Sequence, residues 1–256
     1  MRSALIGYTG FIGSNLAKQY TFTDLYNSEN IDKIEGKEFE LIVNAAPYSL
    51  RWKADLEPEK DWKRINDLID HLIEVKTKLF VLISTVDVYP DSIGVDEDSK
   101  ITEERSRGYG LNRFRLENFI KENFENSVCI RLPQTFGPGL KKNFIFDLIH
   151  DNALDFTHKE SKFQWYNLEN LWKDISIVIE NKLSVVNFAV EPIRAREVAK
   201  YILDMDFRTE TEKPPLNYDM HTKYAKLFDS KGNYIYYKDK VFDELRKFIQ
   251  TEKHTL

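Results

Sequence analysis

The sequence is poor in the residues that build disulfides and metal sites. Its one cysteine, Cys129, can form no internal disulfide, and it lies in the apolar run Ser127-Val128-Cys129-Ile130, which predicts an inert thiol in the core. The five histidines show no spacing typical of metal ligands, and no cluster of cysteine and histidine exists. We therefore expect no zinc site or other metal site.

The sequence also lacks an excess of positive charge and any long apolar run. Its 37 Lys and Arg against 42 Asp and Glu give a net charge of −5, whereas a general nucleic-acid binder needs a basic surface to displace counterions. No apolar stretch approaches the roughly 20 residues that span a bilayer, and residues 1–6 do not follow a signal-peptide pattern. We expect no nucleic-acid partner, no membrane partner and a cytoplasmic location.

The residue composition is typical of a folded protein with a large hydrophobic core. Of the 256 residues, 42% are hydrophobic and 13% aromatic. In the first half, short apolar runs alternate with helical patterns, which is typical of βαβ units and a parallel sheet. There we predict strands at 3–6, 21–26, 39–46, 79–84 and 128–132, helices at 11–19, 58–76 (opened by Pro58) and 108–124, and a polar loop at about 90–107.

After Gly137-Pro138-Gly139 the pattern changes to shorter, mixed elements. Here we predict helices at 143–151, 168–181, 194–203 and 239–250, a strand at 185–189 and a polar loop at 205–220. The change predicts two interleaved domains, residues 1–138 and a smaller lobe of residues 139–256, with an approximate boundary.

Three glycines lie in one turn, Gly7-Tyr8-Thr9-Gly10-Phe11-Ile12-Gly13, between the first predicted strand and the first predicted helix. Small residues there let the backbone approach a pyrophosphate, whose charge then lies at the helix N-terminus. The motif predicts an α/β fold of Rossmann type, with a doubly wound parallel sheet that binds NAD or NADP. The predicted cofactor contacts in this turn are Gly7, Thr9, Gly10, Phe11, Ile12 and Gly13.

The G-x-x-G-x-x-G spacing resembles that of the extended short-chain dehydrogenase/reductase family, which includes nucleotide-sugar epimerases, dehydratases and reductases. Later segments resemble further motifs of this family in the same order, over nearly the whole chain: Asn44-Ala45-Ala46, Asn66 in a helix, Ser84-Thr85-Val86-Asp87-Val88-Tyr89, Tyr109-Gly110-Leu111-Asn112-Arg113 and Arg131-Leu132-Pro133-Gln134-Thr135-Phe136-Gly137-Pro138. The resemblance implies a small C-terminal lobe that binds the substrate.

The resemblance implies a catalytic pair, and helix geometry supports it independently. Tyr109 and Arg113 are four residues apart, so both side chains lie on one face of the predicted helix. A phenol, whose pKa is about 10, needs a nearby cation to ionise at neutral pH. In the family this cation is a lysine that also binds the nicotinamide ribose. Arg113 supplies charge and donors but, being permanently protonated, cannot join a lysine-style proton relay.

Two residues after the strand at 79–84 are further catalytic candidates. The resemblance implies that Thr85 holds the oxygen of the substrate carbonyl or hydroxyl. Asp87 is the one carboxylate of its motif, and it is either a catalytic group or a residue that caps its loop. The sugar dehydratases have an adjacent Asp-Glu pair here, and Val86 replaces the first member, so we expect no dehydration.

The choice between NAD and NADP depends on the end of the second predicted strand. NAD enzymes usually place an acid there for the ribose diol, but this sequence has Asn27 and Ser28. These neutral residues tolerate a 2′-phosphate, which favours NADP slightly. The resemblance implies further cofactor contacts at Ala45, Ala46, Pro47, Tyr109, Arg113 and Pro133.

The sequence therefore predicts an NAD(P)-dependent reductase that acts on a keto group of a nucleotide-linked sugar. An NAD-dependent epimerase, which uses the same residues, is one alternative. A non-catalytic NAD(P)-binding protein is another, because Arg113 replaces the lysine and Gln134 replaces an asparagine of the family motif. Family members often pair through two long helices, here 58–76 and 108–124, so a homodimer is possible.

Overall fold

The computed structural model describes residues 1–46 and 50–253, and Pro47 lies outside the described residues. Its strands are β1 (Ser3–Ile6), β2 (Asp24–Tyr26), β3 (Glu38–Phe39), β4 (Leu41–Asn44), β5 (Lys76–Thr77), β6 (Phe80–Thr85), β7 (Ser127–Leu132), β8 (Gln134–Phe136), β9 (Lys162–Phe163), β10 (Trp165–Asn167), β11 (Val185–Asn187) and β12 (Ile193–Arg194). Its α-helices are α1 (Phe11–Gln19), α2 (Arg51–Leu56), α3 (Pro58–Leu72), α4 (Gly108–Asn123), α5 (Phe144–His150), α6 (Leu171–Glu180), α7 (Ala195–Leu203) and α8 (Lys238–Lys253).

A six-stranded sheet forms the centre of the first half, in the order β11-β7-β6-β4-β1-β2. β1 pairs in parallel with β2 and β4, and β6 pairs in parallel with β4 and β7. Every residue of β1, β4 and β6 is buried, as expected for strands covered by helices on both faces. The predicted α/β fold with a parallel sheet is confirmed.

Two predicted elements have different bounds because their ends pair with each other. The predicted strand 39–46 is divided into β3 and β4, and β3 pairs with β5 in a separate two-stranded sheet. The predicted helix 58–76 begins at Pro58 as expected but ends at Leu72, because the Lys76 N–H donates to the Lys37 carbonyl at 3.0 Å. The pairing of β5 with β3 and with Lys37 before it takes the place of the last turn of the predicted helix.

The chain forms two compact units that interleave along the sequence. The first unit comprises Met1–Pro90, Asp98–Leu132 and Leu171–Val186, and the second comprises Asp91–Glu97, Pro133–Asn170 and Asn187–Leu256. The predicted domain limit at residue 138 and the substrate-binding role of residues 139–256 stay predictions.

The core of the first unit lies between the sheet and helices α3 and α4. Fully buried strand side chains pack against buried side chains of both helices: Ala4, Ile6, Ile42, Phe80 and Leu82 with Ile65, Leu72, Leu116 and Ile120. Burial of each large aliphatic or aromatic side chain stabilises the fold by about 1.5–3 kcal/mol. This packing holds α4, and with it Tyr109, against the carboxyl end of β6.

The second unit contains short strands that the sequence patterns did not predict. β8 pairs in parallel with β10, and β9 pairs with β12 in antiparallel. The buried Gln164 side chain donates to the carbonyls of Val190 (2.6 Å) and Met220 (2.8 Å) and accepts from the Met220 N–H (2.9 Å). One amide thus links three separate segments. None of the helices in the part of the chain that the structure describes is long and apolar enough to cross a membrane.

Candidate cofactor and catalytic site

Two glycines of the turn 7–13 are required by the packing of the turn itself. Gly7 has φ +85°, and a Cβ there would lie 2.6 Å from Ala46 Cα. A Cβ on Gly13 would lie 2.0 Å from the Gly7 carbonyl oxygen. Both distances are too short for any side chain, so these glycines let the turn, α1 and the end of β4 meet closely.

Gly10 has a different environment, and it is the glycine that suits a ligand. It is exposed, its φ is −76°, and a Cβ would meet the Gly7 oxygen at 3.3 Å. Within the described residues no side chain caps α1 at Gly10. The exposed N-terminus of α1, with its partial positive charge, fits a pyrophosphate. Thr9 is exposed beside Gly10, and Phe11 and Ile12 are partly buried.

We predict that Gly13→Ala destabilises the protein by about 1–3 kcal/mol, because the new methyl group collides with rigid backbone. Gly10→Ala is the matched control, and we expect it to change stability by less than about 1 kcal/mol. Urea denaturation of both variants measures the difference. Equal stability of the two variants would contradict this account of the turn.

The glycine turn, the end of β2 and the end of β4 meet at one edge of the sheet. The Gly7 N–H donates to the Tyr26 carbonyl at 2.7 Å, and the Ala45 N–H donates to the Ile6 carbonyl at 2.9 Å. The Ala46 N–H donates to Asn44 Oδ1 at 2.9 Å. This edge carries the carboxyl ends of parallel strands, where α/β sheets bind nucleotides. The structure therefore brings together the predicted contacts in the turn and at Ala45 and Ala46.

The turn after β2 is built by its own polar side chains. The Asn27 N–H donates to Asn30 Oδ1 at 2.7 Å, and Asn27 Oδ1 accepts from the Glu29 N–H at 2.9 Å. Ser28 is exposed. The two positions predicted to approach the adenosine ribose, Asn27 and Ser28, are thus neutral residues of an ordered turn that also contains the exposed Glu29.

The predicted residues Thr85 and Asp87 belong to one short turn at the end of β6. Thr85 is the last residue of the strand, and its Oγ1 accepts from the Asp87 N–H at 3.1 Å. Arg51 of α2 donates to Asp87 Oδ1 at 2.7 Å. Burial nonetheless raises the pKa of the Asp87 carboxyl, although Arg51 acts in the opposite direction. Since Thr85 Oγ1 accepts from Asp87, its own proton remains available to donate.

Helix α4 starts directly against the Thr85–Asp87 turn. A Cβ on Gly110 would lie 2.0 Å from the Asp87 carbonyl oxygen, so glycine is required for this approach. Asp55 of α2 caps the helix, because its Oδ1 accepts from the Tyr109 N–H at 2.8 Å. These two contacts hold Tyr109 next to the turn. The sequence analysis assigned no role to Asp55.

The structure brings Tyr109 and Arg113 together, as their spacing on the helix predicts. The Arg113 guanidinium carbon lies 4.2 Å from the centre of the Tyr109 ring. Arg113 is buried and forms a bidentate ion pair with Asp61 of α3. The Nη1–Oδ2 distance is 2.7 Å and the Nη2–Oδ1 distance is 3.1 Å. Asn112 Nδ2 also donates to Asp61 Oδ2, at 2.9 Å.

The sequence analysis missed Asp61, although the sequence contains a signal. Asp61 lies four residues before the buried Ile65, so it is an acid on the apolar face of α3. A buried acid needs a partner, and the pattern shows this need without showing which residue meets it.

The pKa of Tyr109 lies above its usual value, contrary to the simple expectation from a neighbouring cation. Burial of the phenol is the largest cause. Arg113 lowers the pKa, whereas the carboxylates of Asp87 and Asp61 raise it. The phenol therefore stays protonated at neutral pH.

A second buried ion pair lies behind the Thr85–Asp87 turn. Glu117 of α4 accepts from Arg131 Nε at 2.9 Å and Nη2 at 2.6 Å, and from the Ser84 hydroxyl at 2.6 Å. Arg131 also donates to the Tyr89 hydroxyl at 2.7 Å. Arg131 lowers the pKa of the Glu117 carboxyl enough to outweigh the opposite effect of burial. The network joins α4, β6, β7 and the residue that ends the turn.

Two remaining predictions can be located in the structure. Pro133 follows β7 directly and is the first residue of its segment of the second unit. Among residues 1–46 and 50–253, no group of three or more His, Cys, Asp and Glu could hold a metal ion.

Comparison of the sequence with protein-family models gave no match. Comparison with curated protein sequences gave none either. Solved structures, in contrast, match along nearly the whole chain.

Three of the enzymes with matching structures catalyse different reactions. The UDP-N-acetylglucosamine 4-epimerase of Methanobrevibacter ruminantium superposes with a TM-score of 0.77 and 15% identity, over 100% of this chain and 99% of the epimerase. The dTDP-4-dehydrorhamnose reductase of Bacillus anthracis, solved in complex with NADP, gives 0.74 and 15%, over 98% and 99%. TunA, an NAD-dependent NDP-hexosamine 5,6-dehydratase involved in tunicamycin biosynthesis, gives 0.76 and 14%, over 99% and 98%.

These similarities confirm the fold expected from the resemblance to extended short-chain dehydrogenases/reductases. Because an epimerase, a reductase and a dehydratase share the fold, the fold does not select the reaction. The reaction has to be argued from the side chains of the site.

Proposed function

We propose that this chain is an NAD(P)-dependent reductase of a keto group on a nucleotide-linked sugar. The observation that carries the proposal is the position of Tyr109. Asp55 and the close approach at Gly110 hold the start of α4, and with it Tyr109, at the Thr85–Asp87 turn, and Arg113 lies against the Tyr109 ring. A protonated phenol beside a hydroxyl donor is the arrangement that carbonyl reduction needs.

The turn 7–13 would hold the pyrophosphate of the cofactor, with Gly10 at the exposed helix N-terminus and Ala45 and Ala46 beside it. Bound at this edge, the reduced nicotinamide supplies a hydride for the carbonyl carbon. Asn27 and Ser28 are neutral and would tolerate a 2′-phosphate, and the similar dTDP-4-dehydrorhamnose reductase was solved with NADP. Both points favour NADP.

The residues of the chain supply the proton. Thr85 Oγ1 would donate a hydrogen bond to the substrate carbonyl and hold it near Tyr109. As the carbon gains its hydride, Tyr109 transfers its phenolic proton to the carbonyl oxygen, which becomes the hydroxyl of the product. Arg113 stabilises the resulting phenolate, and a solvent proton restores the phenol.

Two other reactions catalysed by enzymes of this fold are dehydration and epimerisation. Each needs a group that this site lacks or that is in the wrong protonation state. Dehydration needs an acid and a base at adjacent positions, and Val86 occupies one of them. Epimerisation begins with removal of a hydroxyl proton by the tyrosine, so it needs a phenolate. The raised pKa of Tyr109 opposes this step at neutral pH.

The proposal is tested by assaying the purified protein with NADPH, NADH and a panel of nucleoside-diphospho-keto-sugars. We expect the NADPH absorbance to fall and the keto group to be reduced. Stoichiometric NAD that co-purifies, with a change of sugar configuration and no net NADPH consumption, would identify an epimerase. NADPH binding without turnover on any keto-sugar would identify a non-catalytic binding protein.

We predict that Gly10→Val lowers the affinity for NADPH at least about tenfold, which is 1.4 kcal/mol. The branched side chain would occupy the space that the pyrophosphate needs at the N-terminus of α1. Ala17→Val is the matched control, since it adds the same side chain at an exposed position of the same helix. Titration calorimetry measures both affinities, and unchanged binding by Gly10→Val would refute the assignment of the turn.

A further inference from the structure

We propose that Asp61 is a positioning residue that neutralises Arg113, and so keeps Tyr109 a proton donor suited to carbonyl reduction rather than to alcohol oxidation. The inference rests on the proposed function for its catalytic meaning. The ion pair and its effect on Tyr109 are, however, properties of the protein alone and can be measured without a substrate.

Asp61 holds both terminal nitrogens of the Arg113 guanidinium. Two nitrogens of Arg113 contact the two oxygens of Asp61, at 2.7 and 3.1 Å, and both side chains are almost completely buried. Asn112 and the helix-start position of Asp61 orient the carboxylate further. A forked guanidinium matches a carboxylate in this way, whereas the compact ammonium of a lysine cannot. The arginine and the aspartate thus form one unit.

The ion pair changes what the cation can do for the phenol. An isolated cation 4.2 Å from the ring would favour the phenolate. With Asp61 bound to the guanidinium, the pair carries no net charge, and its attraction for a phenolate is weakened. Arg113 still lowers the pKa of Tyr109, and Asp61 reduces this effect.

The other charged groups around Tyr109 do not reverse this conclusion. From the turn after β6, Asp87 faces the phenol and disfavours the phenolate. From α2, Asp55 contacts the Tyr109 N–H, and Arg51 is bound to Asp87 at 2.7 Å and lies 3.5 Å from Asp55. Each nearby cation is therefore paired with a carboxylate.

A protonated tyrosine makes the site better suited to reduction of a carbonyl than to oxidation of an alcohol. Reduction consumes the phenolic proton, so it proceeds below the pKa of Tyr109 and is lost as the pH rises through that pKa. Oxidation of an alcohol, which is also the first half of epimerisation, needs the phenolate and gains with rising pH. Because the pKa is raised, the pH range that favours reduction extends higher than it would for an unperturbed phenol.

The test is a titration of Tyr109 itself. The near-ultraviolet absorbance of phenolate is followed against pH, and the curve of the same background carrying Tyr109→Phe is subtracted. In the unaltered chain we expect Tyr109 to ionise above the usual value of about 10. In Asp61→Asn, which keeps the shape and one hydrogen-bond acceptor, we expect the pKa to fall by about 1 unit or more.

Asp55→Asn is the matched control, because it neutralises a second acid that contacts the Tyr109 backbone. We expect it to leave the pKa of Tyr109 nearly unchanged. A pKa that is unchanged or raised in Asp61→Asn would overturn the proposal, as would ionisation of Tyr109 below its usual value in the unaltered chain. A structural role for Asp61 would lower stability without moving this titration.

The double variant Asp61→Asn/Arg113→Gln keeps the proposal testable if Asp61→Asn fails to fold. It removes the guanidinium that lowers the pKa of Tyr109 together with the carboxylate that raises it, so the pKa of Tyr109 should not fall below that of the unaltered chain. A fall in the double variant would show that Asp61 acts on Tyr109 without Arg113 and would refute the proposal. Absence of turnover would instead refute the reductase function and leave these titrations interpretable.

Discussion

Tyr109→Phe is expected to lower turnover with a keto-sugar nucleotide by about 100-fold or more, since general acid catalysis contributes roughly 10²–10⁴-fold. The variant keeps the ring, its contact with Arg113 and the hydrogen bond from the Tyr109 N–H to Asp55. It removes the one group that we assign as proton donor. Cofactor affinity and stability should change much less than turnover, because the packing of the ring and the start of α4 are retained.

Steady-state kinetics and NADPH titration calorimetry on the same preparation separate the two quantities. Tyr20→Phe is the matched control, because this tyrosine belongs to the same unit and its ring packs on Trp172, with 4.0 Å between the ring centres. It should retain full activity. Full activity of Tyr109→Phe on a verified substrate would exclude Tyr109 as the donor.

Glu117→Leu is expected to destabilise the protein by about 3–5 kcal/mol, because it leaves the charge of Arg131 buried without its carboxylate. Arg131 donates to Glu117 through two nitrogens, at 2.9 and 2.6 Å, and Glu117 also accepts from Ser84. The leucine fills similar space, so the loss measures the uncompensated guanidinium rather than a cavity. Denaturation in urea gives the change in the free energy of unfolding.

The double variant Glu117→Leu/Arg131→Met tests the cause. Replacement of a whole buried ion pair by apolar side chains is often neutral, so most of the lost stability should return. In the unaltered chain the pKa of Glu117 is lowered, so its contribution is fully present above the unfolded pKa and is lost as the pH falls through the folded pKa. A cost below about 1 kcal/mol for Glu117→Leu would place this pair with weak surface pairs.

The elements predicted best were those whose pattern is local. The helix at 11–19 has the observed bounds of α1, and the helix at 108–124 differs from α4 by one residue. Helical spacing and a glycine turn are visible within one element, so no knowledge of the rest of the chain is needed. The short strands β3, β5, β8, β9, β10 and β12 were not predicted as such, because two or three residues carry no periodicity and exist only through a distant partner.

The candidate site likewise contains contacts that the sequence predicts and contacts that it cannot predict. The contact of Tyr109 with Arg113 follows from a spacing of four residues on one helix. Their counterion could not be predicted, since Asp61 lies 52 positions before Arg113 and the pairing depends on how α3 packs on α4. Asp55, which caps α4, lies 54 positions before Tyr109, and the same reason applies.

The sequence by itself determined the class of fold, the glycine turn at the start of α1 and the face of α4 that carries Tyr109 and Arg113. These features depend on periodicity and on backbone conformations that a local segment sets for itself. Only the tertiary structure decided the electrostatic state of the site: which carboxylate meets Arg113, which groups surround Tyr109, and hence that its pKa is raised rather than lowered. Desolvation and ion pairing depend on everything that surrounds a group, and those surroundings are assembled from segments far apart in the chain.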